Sequence, residues 1–239
     1  MSLHQLELMR PHEIRAELAR MPRVYLPLGT IEWHCEHLPV GLDALTAHGV
    51  CLAAAARSGG MVYPALHYGT GGGHGIYPWT VMMESGNEIV AQLRKTLVRL
   101  SDFGVKQAIL FTGHFADEQI DMIRQLATAW QAEGHELQVK ALAINMVENS
   151  PLAPDHAGPF ETTLLHSLWP GRVDLSQLPP KPPRTGNLEE DGWGPQRHVV
   201  GHPLWGVVGP DPRDFDAALS PVLLETAVTW LIREVSGTA

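Results

Sequence analysis

Between Val105 and Gly113 the chain reads VKQAILFTG, a run whose centre is apolar at every position. A strand exposed on one face alternates apolar with polar side chains, so a continuous run of this kind belongs in a sheet covered on both faces. Its neighbours supply the cover. The segment GNEIVAQLRKTLVRLSDF is amphipathic at helical spacing, opens with Ser85 and Glu88 in capping-box register and closes at Gly104. A second helix runs from about Asp117 to Glu133 and stops at Gly134, after which Leu137 to Asn145, LQVKALAIN, repeats the buried-strand pattern.

Val24 to Gly29, VYLPLG, and Met61 to Leu66, MVYPAL, are β-rich runs on either side of an Ala-rich helix, Ala44 to Arg57, with Asp43 at its N-cap. Pro11 opens a short first helix, TLLHSLW forms another that Pro170 stops, and Phe215 to Glu234 is a closing amphipathic helix. The Pro and Gly content from Leu178 to Pro212 predicts a loop. Strands alternating with helices build right-handed βαβ units and a mostly parallel sheet between helix layers, the α/β class, and ligands bind beyond the carboxyl ends of such strands. Glu32, His34, His114 and His156 all follow strands, so they are expected to converge on one edge. The length, 239 residues, is read as one domain, residues 1–239.

Composition narrows the partner. A formal charge of -9 offers no basic surface for phosphates, which argues against nucleic acid or an anionic membrane and leaves a small-molecule substrate. With only two cysteines, Cys35 and Cys51, neither a disulfide framework nor a Cys-rich zinc site can be built, and a cytoplasmic location is expected. No apolar segment is long enough to span a bilayer, and the first residues lack the apolar core of a signal peptide.

The chemistry concentrates in IEWHCEHLPVGLD, Ile31 to Asp43. Residues two apart on an extended segment point the same way, so Glu32 and His34 present a carboxylate and an imidazole to one point. Asp43 can return to that point with a carboxylate able to bridge two cations, while His114 and Glu161 approach from other directions. Taken singly, ExH is common by chance and a His at a strand end is usually a surface residue. Taken together, acids crowded at one edge without a cation would repel one another. Two His and three carboxylates suit two divalent ions of Zn, Mn or Fe.

LPLGTIEWHCEHLPVGLD, GTGGGHGIYPWT, TGHFADEQ, DHAGPFETT and VGPDP stand in that order from Leu26 to Pro212. In these blocks the chain resembles the creatininase (creatinine amidohydrolase) family. The resemblance implies a three-layer α/β/α sandwich, a dinuclear divalent-metal site, hydrolysis of an amide-type C–N bond in a small molecule, and a homo-oligomer. It places Glu32, His34, Asp43 and His114 on metal ligands, Asp43 as the bridge, and His156 on a histidine of proton transfer.

The departures from the family pattern carry expectations of their own. Ala116 stands where creatininase itself has a ligating glutamate, so Glu161 is expected to complete the metal set, with Asp117 and Glu118 as rivals that begin a helix, where acids are already explained by its dipole. Leu152 and Phe115 replace a Trp and a Tyr, so creatinine is not the expected substrate. Trp33, Cys35 and Trp79 stand where relatives have Gln, Gly and Gly. His74, Trp79 and Phe115 are the residues expected to contact substrate, His37 to support the site, and Cys35 to fill space. Two readings from other classes compete: a non-catalytic metal- or ligand-binding member of the fold, and a nucleotide-binding oxidoreductase, the latter opposed by the lack of a Gly fingerprint after the first strand.

Overall fold

The computed structural model describes residues 4–181 and 195–237, so part of the expected 178–212 loop lies outside the described residues. Helix α1 (Pro11–Arg20) precedes strand β1 (Arg23–Leu28), helix α2 (Leu42–Ser58) and strand β2 (Met61–Val62). Two short strands, β3 (Gly69–Thr70) and β4 (Met82–Met83), pair in parallel and bracket the Gly-rich loop. Then follow α3 (Asn87–Asp102), β5 (Gln107–Thr112), α4 (Asp117–Ala132), β6 (Gln138–Ala143), α5 (Pro159–Leu168) and α6 (Ser220–Ser236). The main sheet is parallel throughout, in the order β2-β1-β5-β6.

Alternation along the central strands divides the core between two faces. Tyr25 of β1 and Ile109 and Phe111 of β5 join α2, α5 and α6 through Val50, Ala54, Phe160, Leu164, Ala227 and Leu231. Val24, Leu26, Ala108 and Leu110 turn the other way, against Leu93 and Leu97 of α3 and Ile123, Leu126 and Trp130 of α4. Helices thus cover both faces, the three-layer α/β/α sandwich that the apolar run at Val105–Gly113 demands.

Several boundaries differ from the sequence reading for local reasons. β2 stops at Val62 because Pro64 lacks an N–H, although Leu66 still donates to Pro27 O at 3.0 Å. Gly41, not Asp43, is the N-cap of α2, and Asp43 lies in its first turn. α5 begins four residues before TLLHSLW, with Pro159 in its first turn, so Glu161 is helical. α6 begins at Ser220 rather than Phe215, since Asp216 caps a separate 3-10 turn over Ala217–Leu219.

Two glycines bring the strand ends against α2. A Cβ at Gly29 would lie 2.2 Å from Ala44 N, and one at Gly113 2.1 Å from Asp43 O. Backbone therefore packs on backbone where β1 and β5 meet the first turn of α2. Among the described residues, no helix is long and apolar enough to cross a membrane.

Candidate metal centre

The residues expected to converge do so beyond the carboxyl ends of β1 and β5. Glu32, His34, Asp43, His114 and Glu161 are all buried, with Glu32 and His34 wholly without solvent exposure. Three interlocking sets of their ligand atoms lie within 4.8 Å of one another: Glu32, His34 and His156; Glu32, Asp43 and His114; His34, Asp43 and Glu161. Asp43 sits between two imidazoles, with Oδ1 3.1 Å from His34 Nε2 and Oδ2 3.4 Å from His114 Nδ1.

Each imidazole is tethered by one nitrogen and aimed by the other. His34 Nδ1 donates to Glu32 O at 2.9 Å, His114 Nε2 to Thr70 O at 3.2 Å and His156 Nε2 to Trp33 O at 2.9 Å. A neutral imidazole has one N–H, so these bonds fix the tautomers and turn a bare lone pair toward the carboxylates. His34 Nε2 then faces Asp43 and also Glu161 Oε2 at 3.6 Å, and His114 Nδ1 faces Glu32 Oε2 at 2.8 Å. Among the described residues, Glu32 Oε2, His34 Nε2 and Asp43 Oδ2 have no hydrogen-bond partner. Lone pairs facing lone pairs require a proton or a cation between them, and this nitrogen–oxygen donor set fits a divalent one.

Without a cation, protons fill that role. Burial would lower the pKa of His34, but the carboxylates of Asp43 and Glu161 raise it to about 10. Burial likewise opposes charge on His114, yet Asp43 and Glu32 hold its pKa well above the usual value. Glu32 is kept well below the usual carboxylate range, its burial outweighed by the imidazoles of His114 and His74 that face it. Glu161 is pushed well up, first by burial. His156 is held down to about 3, by burial and then by the neighbouring His34.

Glu161 rather than its rivals reaches the cluster. Asp117 and Glu118 are exposed in the first turn of α4, and Glu118 Oε2 instead accepts from Gly72 N at 3.2 Å. His74 is drawn further in than expected: its Nδ1 bonds Glu32 Oε1, and its ring lies tilted beside that of His156 with the centroids 4.2 Å apart. Phe115 lines the cavity beside the cluster, but Trp79 does not; it is 76% exposed. Trp79, expected to contact substrate, thus lies outside the lining of this cavity in the chain. His37 donates to or accepts from Thr162 Oγ1 at 3.1 Å and contacts no carboxylate.

Cys35 and Trp79 share a backbone feature that explains why glycine suits their positions: each has φ of 59°. Cys35 is buried beside Leu38, Leu42 and Ala157, whereas Trp79 has no comparable packing. Trp33 is also buried; its Nε1 donates to Trp205 O at 2.9 Å and its carbonyl receives His156.

One site residue escaped the sequence reading. Asp155 is buried on the cavity wall, accepting from the N–H groups of Gly158, Phe160 and Glu161 at 3.1, 2.9 and 3.3 Å. It thereby fixes the first turn of α5, from which Glu161 reaches the cluster. An Asp shortly before a Pro that opens a helix was the available signal.

Comparison with known proteins identifies similar chains. The creatinine amidohydrolase of Pseudomonas putida is 29% identical over 184 residues, 67% of this chain and 69% of that protein. The mycofactocin precursor peptide peptidase of Mycobacterium ulcerans (strain Agy99) is 26% identical over 166 residues, 66% of this chain and 62% of its own length. A crystal structure of creatinine amidohydrolase (creatininase) superposes with a TM-score of 0.77 at 21% identity, covering 99% of this chain and 98% of that one, a likeness of fold. The family pattern described as creatinine amidohydrolase runs through residues 7–235, and on that match the chain belongs to the creatininase family.

Proposed function

We propose that the protein is a divalent-metal-dependent hydrolase of a C–N bond, in an amide, cyclic amide or formamide of a small molecule. The observation that carries this is the set of tethered imidazoles turning bare nitrogens toward buried carboxylates. Glu32, His34, Asp43, His114 and Glu161 would hold two ions of Zn, Mn or Fe, with Asp43 between them. Bound there, the pair supplies Lewis-acid polarisation of a carbonyl and a water acidified toward neutral pH.

The chain's own part is orientation and proton handling. His156 Nδ1 lies 3.8 Å from Glu32 Oε1 and 3.9 Å from Glu161 Oε2, where it would carry a proton between the cluster and a leaving nitrogen. His74 steadies Glu32, and Phe115 faces the substrate space. A homo-oligomer belongs to the same reading, supported by the exposed Ile76; sedimentation as a monomer would overturn it.

Metal analysis of purified protein, followed by assays on a small-amide panel, tests the proposal. About two divalent ions per chain and hydrolysis that Glu32→Gln and His114→Ala abolish are expected. A protein that binds no metal, with both variants still hydrolysing, overturns it.

A further inference from the structure

The cavity beside the cluster has a volume of about 560 Å³ and a lining of two unlike kinds. Glu32, Asp43, His114, His156 and Glu161 bring the cluster into its lining, and Phe115, Pro154, Val208 and Pro210 give it an apolar part. Among the described residues, no Lys or Arg lines it. Among the described residues, the one lining carboxylate outside the cluster, Asp155, is already engaged by three backbone N–H groups.

From this polarity we infer that the substrate is an amide whose body carries no formal charge: a single polar head on the cluster and an apolar remainder against Phe115, Pro154, Val208 and Pro210. The inference rests on the hydrolase reading and narrows it. A carboxylate or phosphate on the body would be desolvated against apolar side chains with no cation to meet it, and an ammonium would find no free acid there. In the reaction, water adds across the C–N bond, its oxygen passing to the acyl carbon and its protons to the departing amine. The class of reaction that supplies such a substrate is acylation or formylation of a neutral, apolar amine.

Three amides of nearly equal size separate the possibilities: N-formylbenzylamine, its ring-carboxylate and its ring-aminomethyl derivatives. With the metal-loaded protein, the uncharged compound is expected to show kcat/KM at least about tenfold above either charged one, and tighter binding by calorimetry in the same order. Equal or better use of a charged compound, or no binding by the uncharged one, overturns the inference. If the uncharged compound binds best but none is cleaved, the hydrolase reading fails and the assignment of the cavity stands. Ala153→Arg, at an exposed position on the cavity mouth, is expected to shift preference toward the carboxylate at least about tenfold, and an unchanged preference counts against the inference.

Discussion

The imidazole of His156 donates from Nε2 to the backbone carbonyl of Trp33 over 2.9 Å. Because the acceptor is main chain, the tautomer of His156 does not depend on which side chain stands at position 33. The Trp33 indole faces away, giving its own N–H to Trp205 O and packing 5.8 Å from the Trp205 ring. Trp33→Gln is therefore expected to lower stability by about 1–3 kcal/mol through lost burial and a lost hydrogen bond, while metal content is unchanged. Denaturant unfolding alongside metal analysis checks this, and loss of metal would show that the indole sets the site.

On the proposed reading, the metal set divides by position. Asp43→Asn, which removes one charge from the carboxylate between two imidazoles, is expected to leave at most about one ion per chain, and Glu161→Gln to weaken one ion by at least about tenfold. Asp117→Asn, in the exposed first turn of α4, should change neither. Titration with a divalent ion against a chelating competitor reads all three; equal effects of Asp117→Asn and Glu161→Gln would dismiss the assignment of Glu161.

Proton occupancy gives a signed pH dependence. His34 rises from 6.5 to about 10 on folding without metal, so its contribution to stability is complete below about 6.5 and is lost as pH climbs through about 10. Glu161, pushed up by burial, acts in the same direction. Glu32 and Asp43, held low, lose their contribution only in acid. Chelator-treated protein is expected to melt at a lower temperature near pH 9 than near pH 7, and saturating divalent ion to remove that decline by replacing the protons. Calorimetry at both pH values decides it; a Tm that rises with pH in chelator contradicts the protonated cluster.

Asp155 positions Glu161 through three backbone bonds. Asp155→Ala leaves those N–H groups without their acceptor and is expected to cost about 2 kcal/mol or more, with a weaker second metal; Asp155→Asn, which retains one acceptor oxygen, should recover part of both. Unfolding and metal titration measured together check this, and a destabilised variant with full metal affinity would separate Asp155 from the site.

Trp79 makes the opposite case. It holds φ of 59° with its side chain exposed, so Trp79→Gly relieves backbone strain of about 1 kcal/mol and removes little packing. Stability within about 1 kcal/mol of the parent and unchanged kcat/KM are expected. A large rise in KM would return Trp79 to the substrate space.

The cluster was legible where short motifs fix geometry: Glu32 and His34 two apart after a strand, His114 at the end of another. Glu161 was reachable only by elimination among acids, because its helix starts earlier than its apolar pattern, at Pro159. The three-layer fold followed from alternation, since Ile109 and Phe111 face one helix layer and Ala108 and Leu110 the other. The place of Trp79 was not legible, because closeness in sequence to His74 does not say which way a loop turns. Asp155 and the inward turn of His74 depend on hydrogen bonds made across the fold, which no local pattern encodes.

Gly29 and Gly113 offer no ligand atom, yet they act as spacers whose thickness is one hydrogen. Since Gly113 abuts the carbonyl of Asp43 itself, a methyl group there would work as a shim under the carboxylate and widen its distance from His114. The ionic radius that the centre tolerates is on this account gauged from behind, by two positions that an inventory of donor atoms would pass over.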